Sequence, residues 1–302
     1  MKKFALIVFL LLSMGMCWAY PITPRPLRQL IIESQYIISG KVVSVTELPA
    51  DPQQNGAQAL ARIKIIEVFK GNLQQPYIEV PFDLNMICPQ PANYEPNTWV
   101  MAFLDFEQGK FDTHALSYGS KTLTPDELQV YKERVLEMQN ILRVQDALEQ
   151  YKQTLDWLIT CAEHPATQWE GVFELSPHSD FMSFYTQEKQ TDYGAFLSVP
   201  QKERLMNILK KKAVFDYGDF GIIDLVYPGN EPYIDQKLIE SLSKLDDFGL
   251  FFAAEYMQRL QHLVAPRLFD KYIENAQRYA FEDENPKKQK KNIAAFIASI
   301  KK

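Results

Sequence analysis

Between residues 35 and 117 the pattern of apolar and polar residues is mostly that of β-strands, with alternating stretches and short apolar runs. Proline, glycine and asparagine divide this region into five runs. The predicted strands are residues 36–48, 61–68, 77–82, 99–106 and 111–116. Residues 27–34 have helical spacing instead, so we expect a short helix over one end of the sheet. The pattern predicts a small five-stranded β-barrel.

Two features of the first two strands predict bulges. Gly40 lies inside a β-branched run, where a glycine indicates a bulge or a sharp bend. Residues 61–65 alternate regularly, but Ile66 and Val68 continue the apolar series on the opposite parity. This slip predicts a second bulge, in the neighbouring strand.

The period changes at Thr124, where the sequence has the signature of a helix start. Thr124 is an N-cap residue, Pro125 suits the first helical position, and Glu127 closes a capping box. Apolar residues then recur every three or four positions as far as Cys161, which predicts a long helix. Further helices are predicted at residues 201–212, 234–245, 250–263 and 266–279.

Three strand segments and one cysteine carry a resemblance to a known family: ISGKVVSV at 38–45, ARIKIIEVFKG at 61–71, Cys88, and WVMAFL at 99–104. They resemble the netrin-like module, the OB-type barrel also found in tissue inhibitors of metalloproteinases. The resemblance implies an OB-like fold rather than an activity. Inhibitors of that family chelate the protease zinc with an amino-terminal cysteine, whereas the predicted mature chain begins with Tyr20. The expected fold class is therefore α+β, with an OB-like barrel domain over residues 20–123 and an all-α domain over residues 124–302.

The first 19 residues have the pattern of a secretory signal peptide. Lys2 and Lys3 precede an apolar run over residues 4–12, and small and apolar residues lead to Ala19. The apolar run is too short to cross a hydrocarbon layer of about 30 Å as a permanent helix. We expect cleavage after Ala19 and a secreted or periplasmic protein.

Cys88 and Cys161 remain after cleavage, in a compartment where disulfides persist. One hypothesis is a disulfide between them, and the alternative is two separate buried thiols. Cys161 and His164 also have the spacing of two metal ligands, with Cys88 as a third, but closed zinc sites need four. The sequence therefore predicts no metal site and no cofactor.

The balance of acidic and basic residues indicates which partners the protein binds. Lysine and arginine total 32 against 38 for aspartate and glutamate, a net charge of −6, which argues against binding of a phosphate backbone. We expect no nucleic-acid partner. The apolar content of 46% excludes a disordered chain.

Asp216, Asp219 and Asp224 depart from the spacing of a calcium loop, so we expect an exposed acidic turn there.

The sequence predicts no catalytic residues. Four histidines are present, but no Gly-x-Ser-x-Gly nucleophile elbow accompanies them. Candidates for ligand contact are His114 and Tyr118 at the barrel rim, with Trp169 and Glu170 in a region rich in aromatic residues. Core filling is the alternative for these aromatics. Glu170 and Glu174 are two nearby carboxylates such as a glycosidase uses, but we expect them to be solvated charges.

A basic amphipathic helix is predicted at the carboxyl end, with Ile293, Phe296, Ile297 and Ile300 on one face among lysines. Two roles are open for it. The helix folds onto its own acidic domain, or it docks on an anionic membrane or a partner.

These observations favour a non-enzymatic binding or scaffold protein whose partner is another protein or an envelope component. Catalysis stays open. The first alternative is a secreted hydrolase with a site between the two domains that involves His114, Glu170, His164 or His178. The second is an envelope-associated factor that makes peripheral membrane contact through its carboxyl-terminal helix.

Overall fold

The structure is a computed structural model that describes residues 23–49, 58–84, 90–180, 191, 193–227, 229, 231–281 and 284–300. The predicted signal peptide and the cleavage after Ala19 lie outside these residues. The described chain divides into two compact units, one that reaches Thr154 and one that begins at Leu155.

The first unit contains an antiparallel, nearly closed β-barrel. Its strands are β1 (Tyr36–Glu47), β2 (Ala59–Lys70), β3 (Tyr77–Phe82), β4 (Trp99–Glu107), β5 (Lys110–Thr113) and β6 (Ser120–Leu123). The sheet order is β3-β2-β1-β4-β5, and β6 pairs with β4. The predicted α+β class, with a five-stranded barrel ahead of the helices, is confirmed, and the short β6 is an addition to it.

Gly40 in β1 and the parity slip at Ile66 in β2, which the sequence predicts as two bulges, lie at one register shift between the two strands. Gly40 pairs with Ile65 and Ser39 pairs with Glu67, so Ile66 is the extra residue. A Cβ atom at Gly40 would lie 2.6 Å from the carbonyl oxygen of Lys64. The glycine and the parity slip therefore belong to the same register shift, and β1 and β2 have two further shifts, between Ile37 and Ile38 and between Val42 and Ser44.

Two helices in the first unit lie against the barrel. Helix α1 (Leu27–Glu33) has the predicted position, and Lys70 Nζ donates to the carbonyl oxygen of Ile31 near its end, at 2.8 Å. Helix α2 (Pro125–Ile141) donates from Gln139 Nε2 to the Phe69 carbonyl oxygen at 2.9 Å. The predicted barrel domain ends before α2, whereas the first compact unit includes it. The domain bounds themselves stay a prediction.

Helix α2 begins with the predicted capping box. The Thr124 side chain accepts from Glu127 N, and Thr124 N donates to Glu127 Oε2 at 2.8 Å. The predicted single long helix is wrong, because α2 ends at Ile141 and α3 (Ala147–Ala162) begins after five intervening residues. Asp146 Oδ1 accepts from Glu149 N at 2.8 Å and begins the new helix.

We expect Thr124→Ala to lower the free energy of unfolding by about 1 kcal/mol, since it removes an N-cap and half of a capping box. Chemical denaturation measures the change. Thr122→Ala, an exposed threonine in β6, is the control and should shift stability by less than about 0.5 kcal/mol. Equal effects of the two substitutions would contradict a capping role.

The second unit is helical over its described residues. After α3 it contains α4 (Gln168–Leu175), α5 (Val199–Lys211), α6 (Phe220–Val226), α7 (Pro232–Ser243), α8 (Ala253–Arg259), α9 (Pro266–Phe281) and α10 (Pro286–Ser299). Where one helix was predicted over residues 250–263, the short α8 lies between two 3-10 turns, Gly249–Phe252 and Gln261–Leu263. Every helix in the described part of the chain is too short or too polar to span a bilayer.

The carboxyl-terminal helix α10 folds onto its own unit, as one of the two predicted roles requires. Ile293 and Phe296 are buried, and Tyr272 of α9 meets Phe296 edge to face. Gln289 Nε2 donates to the carbonyl oxygens of Leu250 and Ala276. The apolar face is thus packed within the protein, and membrane contact by this helix stays a prediction.

Candidate functional site

The barrel-rim candidate His114 lies between two carboxylates. Its Nδ1 is 2.7 Å from Asp105 Oδ2, and its Nε2 is 3.1 Å from Glu33 Oε2. Arg25 Nε donates to the same Glu33 oxygen at 2.8 Å. Both ring nitrogens are therefore occupied by contacts that connect α1 to the end of β4. Tyr118 is half-buried in the following 3-10 turn.

The helical candidates Trp169 and Glu170 lie side by side on α4 but in different environments. Trp169 is half-buried and donates from Nε1 to Asp180 Oδ2 at 2.9 Å. Glu170 is 2% exposed, and Glu174 is also buried. The expectation that these glutamates are solvated is wrong, because α4 packs both of its faces inside the unit.

The expected exposed acidic turn is also wrong for its central residue. Asp219 is fully buried, while Asp216 and Asp224 are exposed. Its carboxylate accepts from Asp216 N at 3.0 Å and from Gln168 Nε2 at 3.2 Å, and it pairs with Lys212. Burial raises the pKa of Asp219 above its usual range, and Lys212 opposes that shift. The residue is an internal anchor for the start of α6.

The other candidate ligands are separated or lie outside the described residues. Cys161 is buried in α3, whereas Cys88 falls outside the description, so their pairing stays a prediction. His164 follows the end of α3 and accepts at Nδ1 from Ala166 N. Within the described ranges, no group of three or more histidine, cysteine, aspartate or glutamate side chains could hold a metal ion.

A cleft in the second unit brings together residues that the sequence does not connect. It has two chambers that share Asp224, Glu255 and Arg259, and we call it the Arg259 cleft. The aromatic chamber has a volume of about 260 Å³, and the polar chamber about 530 Å³. Both are contained in the second unit.

The shared wall is an ion-pair cluster centred on Arg259. Arg259 Nε and Nη2 donate to the two carboxylate oxygens of Asp224 at 2.8 and 2.6 Å, and Nη1 donates to Glu255 Oε2 at 3.2 Å. The guanidinium lies over the Phe220 ring, 4.0 Å from its centroid. Two-point pairing and the aromatic face hold this side chain in one orientation.

The aromatic chamber is walled by rings that are not fully covered. Tyr217 and Phe252 stack at 4.6 Å with an interplanar angle of 8°, and Phe251 meets Phe281 edge to face at 4.4 Å. Phe281 is 64% exposed, Tyr217 49% and Phe251 37%. The adjacent Phe248 contacts the stacked pair and is exposed as well. These rings contact one another in succession and form one contiguous, partly exposed aromatic surface.

The polar chamber contains a hydrogen-bonded trio. The Tyr227 hydroxyl donates to Asp235 Oδ1, and His262 Nε2 is 3.2 Å from Asp235 Oδ2. Burial, with the hydrogen bond to Asp235, raises the pKa of Tyr227 well above its usual range, so the phenol stays protonated. Gln258 and Gln261 add amide groups to the lining.

Few of the residues singled out from the sequence belong to this cleft. His178 lines the aromatic chamber, and Trp169 binds Asp180, which also lines it. His114 and Tyr118 belong to the first unit. The sequence signal that could have located the chamber is the run Phe248-Gly249-Leu250-Phe251-Phe252, since three aromatics in five residues cannot all face the core of one short turn.

In comparisons with known proteins, no family model and no curated protein matches the chain.

Proposed function

We propose that the chain is an exported, non-enzymatic binding protein that holds a segment of another polypeptide in the Arg259 cleft. The observation that carries this proposal is the wall of partly exposed aromatic rings beside a polar chamber. Aromatic residues are enriched at the centres of protein interfaces, where they bury large areas at small entropic cost. The export half of the proposal rests on the first 19 residues of the sequence.

The polar groups of the cleft support binding rather than catalysis. Asp224 is engaged by Arg259, and Asp235 accepts from the protonated Tyr227. Ser179 lines the aromatic chamber, but its hydroxyl donates to the Ser176 carbonyl oxygen at 2.7 Å instead of to a base. A nucleophile needs an adjacent base to be activated. These contacts suit groups that orient a ligand.

Selection of peptides from a random library on the purified protein tests the proposal. We expect selected peptides to bind, and the double variant Phe251→Ala/Phe281→Ala to lose about tenfold or more in affinity, because it removes two anchors of the chamber. Fluorescence anisotropy with labelled peptides measures the change. The peptides should be recovered chemically intact after prolonged incubation.

Phe196→Ala is the matched control, since Phe196 is as exposed as Phe281 and does not line the chamber. It should leave affinity unchanged. Failure to select any peptide, or equal binding by the double variant and the control, would overturn the proposed site. Cleavage of a bound peptide that the double variant abolishes would overturn the non-enzymatic assignment.

A further inference from the structure

The polar chamber of the Arg259 cleft is lined by groups that accept hydrogen bonds. Asp224 and Glu255 line it, with both Asp224 oxygens and Glu255 Oε2 paired with Arg259, and the Asp235 carboxylate accepts from Tyr227. The phenol oxygen of Tyr227 keeps lone pairs after it donates its proton, and the Gln258 and Gln261 amides offer carbonyl oxygens. This set suits a ligand group that carries several hydrogen-bond donors.

Carboxylates outnumber cationic groups in the described lining of the Arg259 cleft. Across both chambers the described lining includes the carboxylates of Asp180, Asp224 and Glu255, against the guanidinium of Arg259. Because Asp224 already takes both Nε and Nη2 of Arg259, the charge of that arginine is largely compensated within the wall. With the lining imidazoles of His178 and His262 neutral, carboxylates outnumber cationic groups in the described lining, which favours a cation over a carboxylate or phosphate.

The volume of the polar chamber favours a cationic side chain over a metal ion as its occupant. The polar chamber, at about 530 Å³, is in the range of pockets that hold organic ligands. The rings of the adjoining aromatic chamber add apolar faces, and such faces attract ammonium and guanidinium groups as well as other rings. A ligand that spans both chambers therefore needs a cationic group next to an apolar one.

We propose that the partner segment is a basic peptide, with an arginine or lysine side chain in the polar chamber and a neighbouring aromatic or aliphatic side chain in the aromatic chamber. This inference rests on the proposed function and names its ligand class. The carboxylate of Glu255 and the phenol of Tyr227 receive the donors of the cation. The Phe251 and Phe281 rings cover the apolar neighbour.

Three labelled hexapeptides test the ligand class: Gly-Phe-Arg-Phe-Gly-Gly, the same peptide with citrulline in place of arginine, and the same peptide with glutamate there. We expect the arginine peptide to bind at least about tenfold more tightly than the neutral citrulline isostere, and the glutamate peptide to bind least. The preference should shrink as salt is raised from 50 to 300 mM, roughly the range over which exposed charges become screened.

Glu255→Gln should remove most of the preference for arginine over citrulline while leaving citrulline binding unchanged. Glu274→Gln is the control, because Glu274 is an exposed glutamate of α9 that does not line the cleft. Both substitutions keep the size of an exposed side chain, so we expect both variants to fold. Displacement of the arginine peptide by spermine with no dependence on Phe251 or Phe281 would overturn the assignment to a peptide.

The two proposals fail in different ways. If arginine and citrulline peptides bind equally and both lose affinity in Phe251→Ala/Phe281→Ala, the basic ligand class is wrong and the binding site stands. If the double variant changes no binding at all, the proposed function fails together with this inference.

Discussion

Gly171→Ala should lower the free energy of unfolding by about 3 kcal/mol, because helix α4 lies too close to α3 to admit a side chain at this position. A Cβ atom at Gly171 would lie 2.2 Å from the Leu158 carbonyl oxygen and 2.7 Å from Ala162 N. Both neighbours are backbone atoms inside a helix, so neither can rotate away. The two helices must separate, and the buried side chains between them lose contact.

Denaturation followed by tryptophan fluorescence measures this loss, since Trp157 and Trp169 both lie in the affected helices. Gly218→Ala is the control: its Cβ atom would meet only the Asp216 Oδ1 atom, at 3.0 Å, and that side chain is exposed. We expect the control to change stability by less than about 1 kcal/mol. A Gly171→Ala protein as stable as the control would contradict the close helix contact.

Asp219→Ala should cost a similar amount, about 3 kcal/mol, because it breaks a buried charge pair and leaves its donors without an acceptor. The donors are Lys212 Nζ, Asp216 N and Gln168 Nε2. Lysine can turn toward water, since its side chain is partly exposed, which keeps the loss below that of a fully enclosed pair. Thermal unfolding and denaturant midpoints both report the change.

Asp247→Ala is the matched control for this substitution. Asp247 also lies beside a lysine, with its Oδ1 atom 3.3 Å from Lys290 Nζ, but it is exposed. Exposed pairs contribute about 0 to 1 kcal/mol, so the control should be nearly neutral. If both variants unfold at the same denaturant concentration, Asp219 is not an anchor of α6.

Local sequence signals predicted the barrel and the main helix starts, because those signals act between close neighbours along the chain. Apolar runs and alternation between turn residues place β1 to β5, and the Thr124 capping box starts α2. The break before α3 had a signal of the same kind in Asp146 and Glu149, since an aspartate followed three residues later by a glutamate begins a helix. The sequence did not reveal this break, because the apolar stripe of the predicted long helix continues across it.

Burial of charged residues could not be predicted in this way. Asp219 and Glu170 are buried although their neighbours in sequence are typical of a solvated turn or surface, and Asp219 accepts from Gln168, 51 residues away. The Arg259 cleft could not be predicted from the sequence for the same reason. Tyr217, Phe251 and Phe281 come from three segments that no period connects, so their proximity follows from tertiary packing alone.

The assembly of the Arg259 cleft from separate segments has a consequence for the lifetime of the protein. Its walls include residues within 178–180, 217–229, 251–262 and 277–281 of the second unit, so the cleft exists only while these segments are folded together. An occupant at a hundred times its Kd therefore adds about 2.7 kcal/mol to the stability of that unit. Where proteases degrade unfolded chains, we expect the protein with an occupied cleft to persist longer than the protein with an empty one. The abundance of the protein should then rise with the concentration of the occupant.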